Sequence, residues 1–179
     1  LHSDASGTAM VDTLTGSFSY AGPGTFVVER FVSTSSKVGW RFLSIPTNTT
    51  QTINQAWMEG QTPGSYTGTG YGTIVVGTGG TANGFDQATT TPSMKTFVPA
   101  TNSWISVPNT TSSIATTQGY MIFLRGDRAA NTFGSQNATT LRTQGPIRSG
   151  NVTVSTANGN INQFISVGNP YPAPISFTS

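Results

Sequence analysis

The sequence predicts an all-β fold, an antiparallel β-sandwich with a jelly roll as its nearest arrangement and at most one short helix. Three observations predict it. Short segments rich in β-branched or aromatic residues recur along the chain, each bounded by Gly, Pro, Asn or Ser. Only one stretch carries a helical pattern. No internal repeat of about 20 to 50 residues and no heptad pattern points to a solenoid or a coiled coil.

Taken in order, the strand signals are "GTFVVERFV" (24–32), "GWRFLSI" (39–45), "GTIVVG" (72–77), "KTFVPA" (95–100), "SWISV" (103–107), "GYMIFLR" (119–125), "NVTVS" (151–155) and "QFISVG" (163–168). In the first, Phe26, Val28 and Val32 share one face and Thr25, Val27, Glu29 and Phe31 the other, so both faces are expected to be partly covered. "FVPATNSWISV" reads as a hairpin turning through Ala100-Thr101-Asn102-Ser103, and "ANGN" (157–160) as a second turn. The helix is "TINQAWMEG": Thr52 with Gln55 fits a capping box, Ile53 and Trp57 share a face, and Gly60 can close the C-terminus. The expected organisation is an N-terminal strand segment, 1–25, followed by a sandwich module, 26–179.

Composition narrows the function. Of 179 residues, 31 are Thr, and 8% are charged against about 25% in ordinary soluble domains. Such neutrality would fit a disordered chain, but ten Phe, five Tyr and three Trp supply a core that disordered chains lack. Eight scattered Lys and Arg against six acids form no basic run able to neutralise several phosphates, so nucleic acid is not expected as a partner. With no Cys, disulfides, thiolate metal sites and Cys nucleophiles are excluded. No apolar run approaches the roughly 20 residues of a membrane-spanning helix, and membrane insertion is not expected.

Catalysis needs titratable or nucleophilic groups gathered in a pocket, and the inventory is thin. His2 is the only histidine and sits beside the chain start. A glycosidase-like pair could be drawn from Glu29, Glu59, Asp86 and Asp127, but nothing in the spacing selects one. "GTGYGTIVVGTGG" is glycine-rich, yet a β-branched strand follows where a phosphate cradle needs a helix N-terminus. Asp86 and Asp127 are candidate calcium ligands without a D-x-D-x-D loop. Neither catalytic residues, nor a resident metal, nor a cofactor is assigned. Four Asn-x-Thr matches, at Asn48, Asn109, Asn137 and Asn151, are expected by chance in so Asn- and Thr-rich a chain.

Two binding motifs need weighing. Tyr66, Tyr71 and Trp104 lie near polar loops, where flat rings suit sugar stacking; they are the candidate carbohydrate-binding residues, whereas Trp40 and Trp57 sit in apolar patterns and read as core. Arg125-Gly126-Asp127 spells an adhesion tripeptide, but it follows an apolar strand. Arg125, Asp127 and Arg128 are therefore expected to be strand-end charges, paired with one another or with Glu29 or Glu59.

In order, "FVVERFV", "GWRFLSIP", "TINQAWMEG", "GYGTIVVG", "GFDQ", "ATNSWISVPNT", "GYMIFLRGDR", "TTLRTQGPI" and "VGNPYPAPIS" carry a family likeness. From about Phe26 onward the chain resembles a β-rich module of very large secreted and surface proteins of Bacteroidetes, of the type IX secretion cargo type. The resemblance implies an extracellular or cell-surface, non-catalytic structural or adhesive module; a carbohydrate-binding module is the alternative. It also implies an incomplete C-terminal end, since relatives continue past "NPYP" with Asp-Trp where Ser176-Phe177 stands here. Partners are then other segments of a larger polypeptide, other copies of the chain, or a polysaccharide. The stretch "SGTAMVDTLTGSFSY" (6–20) is the expected strand donor between copies, because it alternates and lies outside the family segments.

Overall fold

A computed structural model describes residues 1–12, 25–33, 38–129, 137–154 and 164–176. The strands are β1 (Ser3–Asp4), β2 (Gly7–Thr8), β3 (Phe26–Val32), β4 (Gly39–Leu43), β5 (Val76–Gly77), β6 (Gln87–Ala88), β7 (Met94–Val98), β8 (Ser103–Ser106), β9 (Tyr120–Leu124) and β10 (Thr139–Gly145); helix α1 spans Ile53–Trp57. The fold is β-rich and sandwich-like with a single short α-helix among the described residues, as the sequence predicts. Among the described residues no helix is long and apolar enough to cross a membrane.

One antiparallel sheet has the order β4-β9-β7-β8, and a second pairs β3 with β10 from Phe26↔Gly145 to Val32↔Thr139. Alternation on β9 sets the layers: Tyr120, Ile122 and Leu124 are buried, while Met121 and Phe123 face outward. The core joins these three to Leu43 and Met94 from the same sheet, Leu141 and Val32 from the other, and Ile53, Ala56 and Trp57 from α1. Thr52 and Gln55 form the capping box: Gln55 N–H donates to Thr52 Oγ1 at 3.2 Å and Thr52 N–H to Gln55 Oε1 at 2.9 Å. Thr52→Ala should therefore cost about 1 kcal/mol, read as a lower urea midpoint at constant slope. The hairpin at 97–107 forms as predicted, between β7 and β8, with Asn102 taking the left-handed position at φ 49°. Both faces of β3 are partly covered, also as predicted: Val28 is buried on one, and Glu29 lies under the β1–β2 hairpin on the other.

Three predicted strands change character. In 72–77 only Val76–Gly77 is a strand, and it pairs in parallel with β6. The rest departs from a ladder because its N–H groups go elsewhere: Val75 N–H to Asp86 Oδ2, Val76 N–H to Ser93 Oγ and Thr73 N–H to the Trp57 carbonyl. Residues 151–154 form no strand, although Val152 and Val154 remain half-buried. At 164–168 a single bridge, Val167↔Gln118, remains. There the segment comes close to the residues before β9: a Cβ on Gly168 would lie 2.5 Å from the Gln118 carbonyl oxygen. The "ANGN" turn lies outside the described residues.

The N-terminal segment covers an edge of its own sheet. Glu29 N–H donates to the Leu1 carbonyl at 3.0 Å and Phe31 N–H to Ser3 Oγ at 2.9 Å, which occupies backbone donors of β3 on the side away from β10. Ser6–Thr8 of the expected donor stretch thus belong to a hairpin packed on β3 of the same chain. Its residues 13–20 lie outside the described residues.

Candidate functional site

The strand-end cluster after β9 is densely hydrogen-bonded. Arg128 is 0% exposed and grips Asp86 with both guanidinium nitrogens, Nη2 to Oδ1 at 2.7 Å and Nη1 to Oδ2 at 3.0 Å. The same nitrogens donate to the carbonyls of Ser65 (2.9 Å) and Thr73 (3.0 Å). Asp86 in turn accepts from Gly64 N–H at 3.1 Å and Val75 N–H at 2.9 Å. Asp127, 4% exposed, accepts from Gly70 N–H at 2.7 Å and Ala129 N–H at 3.0 Å. These bonds lash the glycine-rich loop, 61–72, to the end of β9, and charge-assisted bonds of this kind are the strong ones. Gly72 is needed there: at φ +64° its absent Cβ would sit 2.8 Å from Glu59 Cγ and 3.3 Å from Arg128 Cδ.

For Asp127 and Arg128 the predicted pairing with one another, or with Glu29 or Glu59, is thereby corrected. Arg128 pairs with Asp86, Glu59 with Arg142, and Glu29 with His2. Sequence distance hid the partner, since Asp86 lies 42 residues from Arg128. Glu59 favours the charged form of Arg142 and raises its pKa, against the partial desolvation that lowers it. Asp127 inside the tripeptide is turned into the fold. Asp127→Ala should cost about 1–3 kcal/mol by removing the carboxylate that accepts from the Gly70 and Ala129 N–H groups, with no change in cell attachment to a surface coated with the protein. Attachment that is lost with Asp127 while the fold survives would show the tripeptide to be read directly.

No acid–base set assembles around these groups. His2 offers both ring nitrogens to carboxylates, Nδ1 to Glu29 Oε2 at 2.7 Å and Nε2 to Asp4 Oδ2 at 3.2 Å. Asp86 and Asp127, the candidate calcium ligands, are engaged by a guanidinium and by backbone N–H groups. Among the described residues no three His, Cys, Asp or Glu cluster as metal ligands do.

The candidate carbohydrate rings fall on different elements. The Tyr66 hydroxyl accepts from Gln87 Nε2 at 2.6 Å. Tyr71 lies beside β10, with the Arg142 guanidinium 4.0 Å above its ring. Trp104 is on β8, packed against Phe97 (5.4 Å) and Phe42 (5.6 Å). Among the described residues no ring contact joins the three.

Trp104 instead belongs to a larger surface that sequence inspection missed. The pairs Trp40↔Phe123, Phe42↔Met121, Lys95↔Met121 and Phe97↔Trp104 put all of these side chains on the outer face of the four-stranded sheet. Trp40, predicted as core, is 39% exposed there and stands edge-on to Phe123 at 5.5 Å. Lys95 Nζ lies 5.2 Å from the Trp40 ring and Arg125 Cζ 4.8 Å from that of Phe123. At one end, Phe42 and Phe164, 71% and 73% exposed, flank a groove of about 510 Å³ that also takes in Phe97, Trp104, Ser44 and Ser166. The signal was present in "GWRFL", whose alternation places Trp40 and Phe42 on one face. An apolar pattern was read there as burial, although it fits a partner surface as well.

No protein-family model, curated protein or solved structure matches the chain.

Proposed function

We propose that this chain is a non-catalytic structural or adhesive module of a secreted or cell-surface bacterial protein, and that it meets β-rich neighbours of its own kind through the outer face of the β4-β9-β7-β8 sheet. The aromatic face carries the proposal. Contiguous exposed apolar surface is uncommon on a monomer, and aromatic residues are enriched where proteins touch. The family likeness of the ordered segments supports the secreted setting. The commitment of Glu29, Glu59, Asp86 and Asp127 to structural partners supports a non-catalytic role.

Protein rather than sugar is favoured by the groove's chemistry. Sugars are commonly held by amide or charged side chains beside the stacking ring, and among the described residues none lines the groove. Its two serine hydroxyls donate to backbone carbonyls, Ser44 to Asn169 and Ser166 to Gly119. Its rings also pack on one another at 56° and 64° rather than presenting one flat platform. NMR spectra recorded over rising protein concentration test the reading: shifts should concentrate at the outward residues of β4, β7, β8 and β9. Shifts produced instead by oligosaccharides, at Trp104 and Phe42, would restore the carbohydrate alternative.

A further inference from the structure

The edges of the four-stranded sheet and of the β3–β10 pair are not protected alike. Ladder bonds alternate, which decides what each edge offers. Val107 N–H donates to the Met94 carbonyl, so Ser103, Ile105 and Val107 bond inward to β7, and the N–H and C=O groups of Trp104 and Ser106 point away from it. By the same alternation Trp40 and Phe42 face outward along the edge of β4, Glu29 and Phe31 along β3, and Thr140 and Gln144 along β10.

The other edges are engaged. β3 is covered by Leu1 and Ser3; on β10, Thr140 exchanges backbone bonds with Gly70 and Gly72, and Gln144 N–H donates to the Gln51 side chain. On β4 the Arg41 guanidinium donates to the Trp40 carbonyl at 3.1 Å and sets a charge in the strand. β8 has no such guard. Among the described residues nothing bonds to the backbone of Trp104 or Ser106 on that side, and residues 96–124 include no charged side chain. Ile105 shares its face with the buried Met94 and Val107, yet is 46% exposed beside the open edge.

The open stretch is short and bounded. Asn102 on one side has a left-handed backbone and Pro108 on the other has no N–H, so an added strand can use only Trp104 and Ser106. A second copy of β8, antiparallel and two-fold related, meets that limit in one register. With Ile105 on the axis, Trp104 of each copy lies opposite Ser106 of the other, and the two exchange reciprocal hydrogen bonds on both sides of the axis. Sliding the copies by two residues either way puts Ser106 opposite Asn102 or Trp104 opposite Pro108, and bonds are lost. In the favoured register each Ile105 meets its mate across a non-hydrogen-bonded pair, where side chains come closest.

We propose that the edge of β8 takes a second copy of this chain through this two-fold β8–β8 pairing, which joins the two four-stranded sheets into one and continues the aromatic face from copy to copy. The pairing rests on the outer-face reading. A four-residue edge buries far less than the roughly 1,200 Å² of a stable complex, so contacts between outer faces must supply the high effective concentration that edge pairing needs.

Solvent exchange of the Trp104 and Ser106 amides, read by NMR on the whole chain at about 50 µM and about 1 mM, tests it. Both amides should exchange about twofold or more slowly at the higher concentration, the slowing produced when half of the copies are paired. Ile105→Lys sets like charges on the axis, and Ser106→Pro removes an N–H that the β7–β8 ladder does not use; each should abolish the slowing at Trp104 while concentration-dependent shifts at Trp40 and Phe123 persist. Phe42→Ser with Phe164→Ser should abolish both signals. Outer-face shifts in the wild type without slowed exchange at Trp104 and Ser106 would overturn the edge pairing and leave the outer-face reading standing, as would slowing that survives both edge variants. Absence of either signal up to about 1 mM would overturn the two together.

Discussion

Replacing Asp86 with alanine is expected to destabilise the protein by about 3–5 kcal/mol, because it leaves the Arg128 guanidinium buried without its counter-charge. Whole domains are stable by only about 5–15 kcal/mol, so the variant should be partly unfolded near room temperature. The loss arises from uncompensated desolvation rather than from the pair's own attraction. Two further results follow. Asp86→Leu combined with Arg128→Met should recover only part of the loss, since it removes the unpaired charge but leaves the Gly64 and Val75 N–H groups and the Ser65 and Thr73 carbonyls without these partners. The wild-type contribution should also be insensitive to salt, because both side chains are 0% exposed and escape screening. Guanidinium and urea titrations of the single and double variants measure all of this, and a loss under about 1 kcal/mol for Asp86→Ala would contradict the buried pairing.

Trp57→Ala should cost a similar amount, about 3–5 kcal/mol, by a different route. Trp57 is 3% exposed and stands edge-on to Tyr120 at 5.6 Å, which ties α1 to the centre of the four-stranded sheet. The helix has five residues, too few to persist alone, so it exists through this packing. Truncation removes both the buried area and the helix's reason to dock. Far-ultraviolet circular dichroism with the urea midpoint should show the stability loss; a midpoint within about 0.5 kcal/mol of wild type would mean the indole is not a core element.

The strands that were legible are those whose own residues mark them by alternation or by flanking turns. β3, β4, β7, β8 and β9 each show the alternation or turn chemistry that names them, and α1 shows its cap. The segment at 72–77 was illegible in detail because Ile74, Val75 and Val76 are all buried and their backbone partners are side chains from Asp86 and Ser93. Residues distant in sequence decide that, and local pattern cannot carry it. The polar cluster failed for the same reason: Arg128 was visible as a charge, but its acid lies 42 residues and four strands away. The aromatic face was visible and misread, since alternation reports which residues share a face and not whether that face is covered.

Sedimentation equilibrium of the wild-type chain against a Phe42→Ser, Phe164→Ser double variant tests the proposed contact surface most directly. Both rings are largely exposed, so the substitutions should leave the fold and its unfolding midpoint nearly unchanged. The expected result is reversible, concentration-dependent association of the wild type that the double variant loses. A wild type that remains monomeric up to about 1 mM, the range in which even weak association is visible, or a variant that associates equally well, would contradict it.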